Sequence, residues 1–252
     1  MDICRSCDRD WIAYSENDTP DHDFFSVWTP SCPNAVEGSD QYPCPAVILE
    51  LGPVCPSTRS LIAATMLDPH QVREECRHFV AKFVFQRALD SVLYIQAAVE
   101  VVVCILEKER DSVILVRLNS IFDLLYIDCR KNLSATKYTN IIYFLKQIYT
   151  VLEIRRARVE FLHIRLTSMF LKSLIRWCRL CLESPMLDSL SEMETYLHVL
   201  KSTSSDMRNK LPQDAERLRS SLVYTAGSNK LKKGVKPILL DILKFFPVNL
   251  EE

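Results

Sequence analysis

Three sets of residues in this chain have types and spacing that could carry chemistry. Cys4 and Cys7 form a C-x2-C pair, with His22, Cys32, Cys44 and Cys55 downstream. Thiolate and imidazole are zinc ligands, but a structural zinc site needs four ligands with tight spacing in both halves. Only the first half fits, so no metal centre is expected, and Cys4 and Cys7 are the weak candidates for one. A second C-x2-C, Cys178 and Cys181, falls inside a helical pattern. A redox pair of that spacing normally lies at a helix start, so the expected role here is packing. The third set is cationic. Arg158, Arg165, Lys172 and Arg179 are each seven residues apart, with Arg155 and Arg176 flanking them. Seven residues is nearly two helical turns, so the four share one narrow line. Such a line can be a solvated face bordering a bundle. It can also meet an acidic partner helix or a phosphate backbone, because arginine makes bidentate contacts and desolvates readily.

Catalytic patterns are missing. The chain has no G-x-S-x-G, no G-x-x-x-x-G-K-[ST] and no H-E-x-x-H, the local arrangements that build nucleophiles, phosphate cradles and metalloprotease sites. His78, His163 and His198 lie within amphipathic helical patterns and read as core-edge or surface residues. A non-enzymatic protein with no cofactor is expected.

The elements that would position these residues are helical. Only 4 of 252 residues are glycine, too few for the many tight turns of an α/β enzyme of this length. The formal net charge of -1 provides no global field toward nucleic acid. Duplex readout is therefore not expected, while other direct nucleic-acid contact stays open. The N-terminus lacks the apolar core of a signal peptide. Ten cysteines without such a signal point to a reducing compartment, cytosol or nucleus. The longest apolar run, Ser91 to Leu106, is too short to span a bilayer and contains Glu100. It reads as a buried core helix, and no membrane association is expected.

Residues 1–65 read as a proline-rich, acidic, irregular arm whose aromatics Trp11, Phe24, Phe25 and Trp28 suggest docking on a surface. Residues 66–212 read as the bundle domain. Asp68 is the expected N-cap ahead of Pro69. Leu118, Ile121, Leu125 and Cys129 have the spacing of a helix face. From Ser134 nothing breaks a helix until Pro185, so one helix of over forty residues is expected. Along it Leu152, Val159, Leu162, Leu166, Met169 and Trp177 make one apolar line, and Ile154, Phe161, Ile164, Leu171, Leu174 and Cys178 make another. Two lines imply contacts on two sides. Ser189 or Ser191 caps the next helix, and Pro212 ends it. Residues 213–252 read as a basic linker and a short apolar tail. The expected fold is all-α: a helical bundle of four to five helices with one very long central helix, plus the irregular N-terminal arm.

The stretch "LEIRRARVEFLHIRL" resembles the signature helix of the GINS complex, the four-subunit scaffold of eukaryotic DNA replication, and most resembles its first Psf subunit. The matching positions are Leu152, Arg155, Arg156, Val159, Phe161, Leu162, Arg165 and Trp177. "LSEMETYL", Leu190 to Leu197, resembles the family's next helix, with Met207 and Arg208 following. The likeness covers about residues 152–210. The family has a small β domain after its helices, whereas the residues after Pro212 show no strand series. The resemblance implies a scaffold subunit that catalyses nothing and works in the nucleus in a hetero-oligomer with other helical subunits. It would join the Mcm ring of the replicative helicase to its accessory factor. Arg155, Arg156, Arg158 and Arg165 would pair with partner acids. Phe161, Leu162, Leu166 and Trp177 would fill an intersubunit core, and Lys172 and Tyr196 would complete the partner-binding set. The alternatives are an unrelated helical interaction adaptor, viral or lineage-specific, and a zinc-dependent N-terminal module on a helical bundle.

Overall fold

The computed structural model describes residues 45–110, 112–125, 133–155, 160–182, 186–229 and 231–247; for Leu124 and residues 160–165 it describes the backbone only. Among the described residues there are ten α-helices and no strand, so the fold is all-α as expected. The helices are α1 (Ala46–Leu49), α2 (Pro56–Leu67), α3 (Glu74–Asp90), α4 (Val92–Leu106), α5 (Val113–Leu124), α6 (Ala135–Ile154), α7 (Glu160–Leu180), α8 (Leu190–Lys210), α9 (Pro212–Ala226) and α10 (Val235–Leu243). They fall into two compact units. One takes Met1–Arg87 and Glu100–Asn132, the other Ala88–Val99 and Leu133–Glu252.

Three expectations need correction. The helix of over forty residues is two helices, α6 and α7. Their packing shows why they cannot be one: the rings of Tyr138 and Trp177 lie 6.0 Å apart, edge to face. In a continuous helix, 39 residues at about 1.5 Å each would hold them nearly 60 Å apart. Of the two apolar lines, Leu152, Leu166, Leu171, Leu174, Trp177 and Cys178 are buried within the chain, whereas Ile154 is 77% exposed. Second, the end of the expected arm is helical. Pro56 occupies the first turn of α2 behind an extended Cys55, where its missing N–H costs nothing. Third, the expected linker and tail hold α9 and α10, with Leu218, Leu222, Leu239 and Ile242 fully buried. Pro212 ends α8 and begins α9 at its first position.

Other expectations stand. Asp68 caps a short 3-10 turn, Pro69–Gln71, and its carboxylate accepts from His70 N–H at 3.0 Å. Along α4, Ile95, Ala98, Val99, Val101, Val103 and Ile105 are each at most 1% exposed, so the apolar run is a core helix from Ile95 on, while Val92 and Leu93 at its start are 57% and 81% exposed. Among the described residues no helix is long and apolar enough to cross a membrane. Leu118 and Ile121 on α5 and Leu125 at its C-cap are buried; Cys129 lies outside the described residues.

The first unit is organised by one buried ion pair. Arg77 on α3 and Glu109, beyond the end of α4, meet at 3.0 Å with both side chains almost fully enclosed. The Glu109 carboxylate also accepts the Ile114 N–H at 3.1 and 3.0 Å. It thereby caps α5, whose preceding residue Ser112 is left-handed and makes no side-chain cap. A carboxylate at a helix N-terminus is favoured by the unpaired N–H groups there. Lys108 serves the opposite end of α2, donating to the Met66 and Leu67 carbonyls. Phe85 and Phe122 pack edge to face at 5.0 Å.

In the second unit, Tyr196 of α8 donates to the Cys178 carbonyl at 2.8 Å, one of the last carbonyls of α7 and without an intrahelical partner. Asn140, buried, donates to the Leu89 carbonyl at 2.9 Å. Arg219 Nε donates to the Phe246 carbonyl at 3.2 Å and ties α9 to the segment after α10.

Two substitutions test these anchors. Trp177→Ala is expected to cost about 3–5 kcal/mol, the range for a buried aromatic, read as a fall in the urea midpoint of the full chain. Glu109→Gln leaves the Arg77 charge buried without its counter-ion; a loss of about 3 kcal/mol is expected in the same titration, and a loss below 1 would show the pair to be dispensable.

Candidate functional site

The cationic line is partly displayed. On α7, Lys172, Arg176 and Arg179 are all exposed, while Leu171, Leu174, Ile175, Trp177 and Cys178 between them are buried. Spacings of four and three residues put the three cations on one face. The apolar side of α7 is consumed by α6 and its neighbours, so the helix can be oriented only one way. Like charges at these spacings repel by a few tenths of a kcal/mol each. Arg179, in the last turn of α7, is favourably placed toward the helix C-terminus.

The remaining site residues divide by position. Arg155 ends α6 and is half-buried, its N–H donating to the Val151 carbonyl at 3.0 Å. Arg156 and Arg158 lie outside the described residues, as do Cys4 and Cys7. Phe161, Leu162 and Arg165 are in the first turns of α7, with side chains outside the described set. Leu166, Trp177 and Tyr196 are at most 4% exposed. They fill the core of the chain's own second unit and present no surface to another protein. Their apolar and aromatic character is explained by the α6–α7–α8 packing.

Cys178 and Cys181 are buried and free. Burial pushes both thiols up, and at Cys181 the neighbouring Cys178 raises it further. Neither provides a thiolate at neutral pH, so neither is poised for exchange chemistry. Among the described residues no group of histidine, cysteine and acidic side chains is arranged to hold a metal ion.

Two polar clusters were not foreseen from the sequence. Tyr149 donates to Asp206 at 2.8 Å. Lys210 donates to the Tyr149 hydroxyl at 2.9 Å and to Glu153 at 2.8 Å, and its ammonium lies 5.2 Å from the Tyr149 ring centre. This chain of bonds fastens α6 to α8 across more than fifty residues of sequence, a distance at which no local spacing signals a contact. In the first unit, Lys82 is half-buried near Arg117. Burial first, and then the Arg117 charge, pulls its ammonium down to about 8. Burial also lowers Arg117.

No family model and no curated protein matches this chain.

Lys82 gives a signed pH test. Its folded value of about 8 lies below the ordinary 10.5. Between the two, the unfolded chain binds more protons, so this contribution makes stability rise with pH from about 8 to 10.5. Lys82→Met is expected to raise the thermal midpoint at pH 7, with the advantage shrinking toward pH 10.5. An equal shift at both pH values would exclude a charge-burial origin.

Proposed function

We propose that this chain is a non-enzymatic helical subunit that works by binding other proteins through the cationic face of α7. The observation that carries this reading is the exposed strip of Lys172, Arg176 and Arg179 behind a fully buried apolar face. Arginine in such a place favours carboxylate partners, through charge-assisted and bidentate hydrogen bonds. A partner helix with acids at three- and four-residue spacing matches it.

The finer form of the proposal is a GINS-like scaffold subunit in the nucleus, joining the Mcm ring to its accessory factor during DNA replication. Its support is the likeness of Leu152, Arg155, Arg156, Arg165 and Trp177 to the family's signature. A second reading, a helical adaptor outside that family, is favoured by a specific observation. Leu152 and Arg155 belong to α6 and its end, whereas Trp177 belongs to α7, so the signature is divided between two packed helices.

The test is a comparison of the full chain with its Lys172→Glu, Arg176→Glu, Arg179→Glu variant, both tagged and recovered from native cells. Circular dichroism melts should agree within a few degrees, since all three side chains are exposed. Proteins recovered with the unaltered chain should be lost with the variant. Three other small helical subunits in equal amounts, with Mcm proteins at lower yield, would establish the GINS-like form. Other partners, lost in the same way, would establish the adaptor. Retention of every partner by the variant would remove the α7 face from the proposal.

A further inference from the structure

The first unit holds a hydrogen bond that exists only in one charge state of an imidazole. Arg110, just beyond α4, donates its backbone N–H to His70 Nε2 at 3.2 Å. A backbone N–H can only donate, so the ring nitrogen facing it carries a lone pair. His70 is therefore neutral in this arrangement, with its proton on Nδ1. An imidazolium has a hydrogen on both nitrogens and accepts nothing. Histidine is also the side chain whose ordinary charge change falls between roughly pH 5 and 8.

The imidazole is presented by a fixed turn. Asp68 caps the 3-10 turn by accepting the His70 N–H. Pro69 and Val72 on either side are buried, and the Val72 N–H returns to the Pro69 carbonyl at 3.3 Å. Lys108 donates to the Met66 and Leu67 carbonyls, so the chain leaving α4 runs beside the end of α2. His70 itself is exposed, and protons reach it without any opening of the core. The charged groups around it pull in both directions. Asp68, on its own turn, favours a cation there. Lys108 and Arg110, on the segment that bonds to it, oppose one. The last turn of α2, residues 64–67, is uncharged. The Glu109 carboxylate is already held by Arg77 and the Ile114 N–H. Protonation thus turns an attraction into two N–H groups facing one another, beside two cations.

We propose that His70 is a pH-sensitive latch: neutral, it holds the α4–α5 connection against the turn after α2; protonated, it lets go, and the Glu109 cap at the start of α5 loosens with it. The coupling is short. Arg110 directly follows Glu109, the residue that both pairs with Arg77 and caps α5. Freeing the Arg110 amide removes a restraint one residue from that cap. His78 responds in the opposite sense, since its partner Glu74, at 3.6 Å, attracts the protonated ring. The latch lies wholly in the first unit, so its failure leaves the α7 proposal untouched.

The experiment is amide hydrogen exchange of the isotopically labelled full chain, followed by NMR at pH about 7.5 and about 5.5, either side of the ordinary histidine titration. Protection is taken relative to the intrinsic exchange rate at each pH. Protection of the Arg110 amide should fall roughly fivefold at the lower pH, the effect of losing one hydrogen bond, and the Ile114 amide should follow by a smaller factor. His70→Leu, which cannot accept, should show the low protection at both pH values. His70→Gln places a non-titrating acceptor near the position of Nε2 and should keep its protection unchanged. Equal protection of Arg110 at the two pH values in the unaltered chain would overturn the latch. The same fall in His70→Leu would assign the pH response to another group and overturn it too. An Arg110 amide that responds while Ile114 does not would overturn the relay to α5.

Discussion

The packing of α6 against α7 is the constraint on which the second unit depends. Each helix carries more apolar surface than one neighbour can cover, and folding back lets each cover the other. Tyr138 and Trp177 meet at the contact. With Leu166, Phe170, Leu174 and Cys178 fully committed inside, α7 has one face left for solvent, and that face is cationic. The display of Lys172, Arg176 and Arg179 is therefore a consequence of core packing. Moving the strip would require rotating α7 and exposing its aromatics, at about 25 cal/mol for each Å² of apolar surface returned to water.

Polar groups inside both units are placed where helix ends leave carbonyls or N–H groups without partners. Tyr196 serves the Cys178 carbonyl, Asn140 the Leu89 carbonyl, Glu109 the Ile114 N–H, and Lys108 the last carbonyls of α2. Each contact links elements that are distant along the chain, so each selects one packing register among several that hydrophobic burial alone would accept. The Arg77–Glu109 pair acts in the same way. Its net contribution to stability is modest beside the cost of breaking it, and its value lies in fixing where α5 begins.

The proposed α7 surface follows from which side chains the packed helix leaves exposed. The α7 strip is purely cationic and rigid, with its side chains anchored on a packed helix, which suits an acidic partner helix.

The helical class was legible because it depends on composition and period. Scarce glycine, the apolar run of α4, the face of Leu118, Ile121 and Leu125, and Asp68 ahead of Pro69 are all local signals. The sequence determined by itself which residues could share a face, including the three cations of α7. It could not show that the expected long helix is two, because the residues between Ile154 and Glu160 are all acceptable in a helix; the packing of Tyr138 against Trp177 requires the division. Nor could it show that Trp177, Leu166 and Tyr196 turn inward, since an aromatic on an amphipathic helix satisfies its own core or a partner's equally well. The helices at 212–243 were hidden for a related reason: turn-rich, lysine-bearing sequence reads as linker until α8 supplies the surface that α9 and α10 cover. Period and charge are properties of the chain; which apolar face meets which, and so which charges remain in water, is set only when distant elements compete for the same burial.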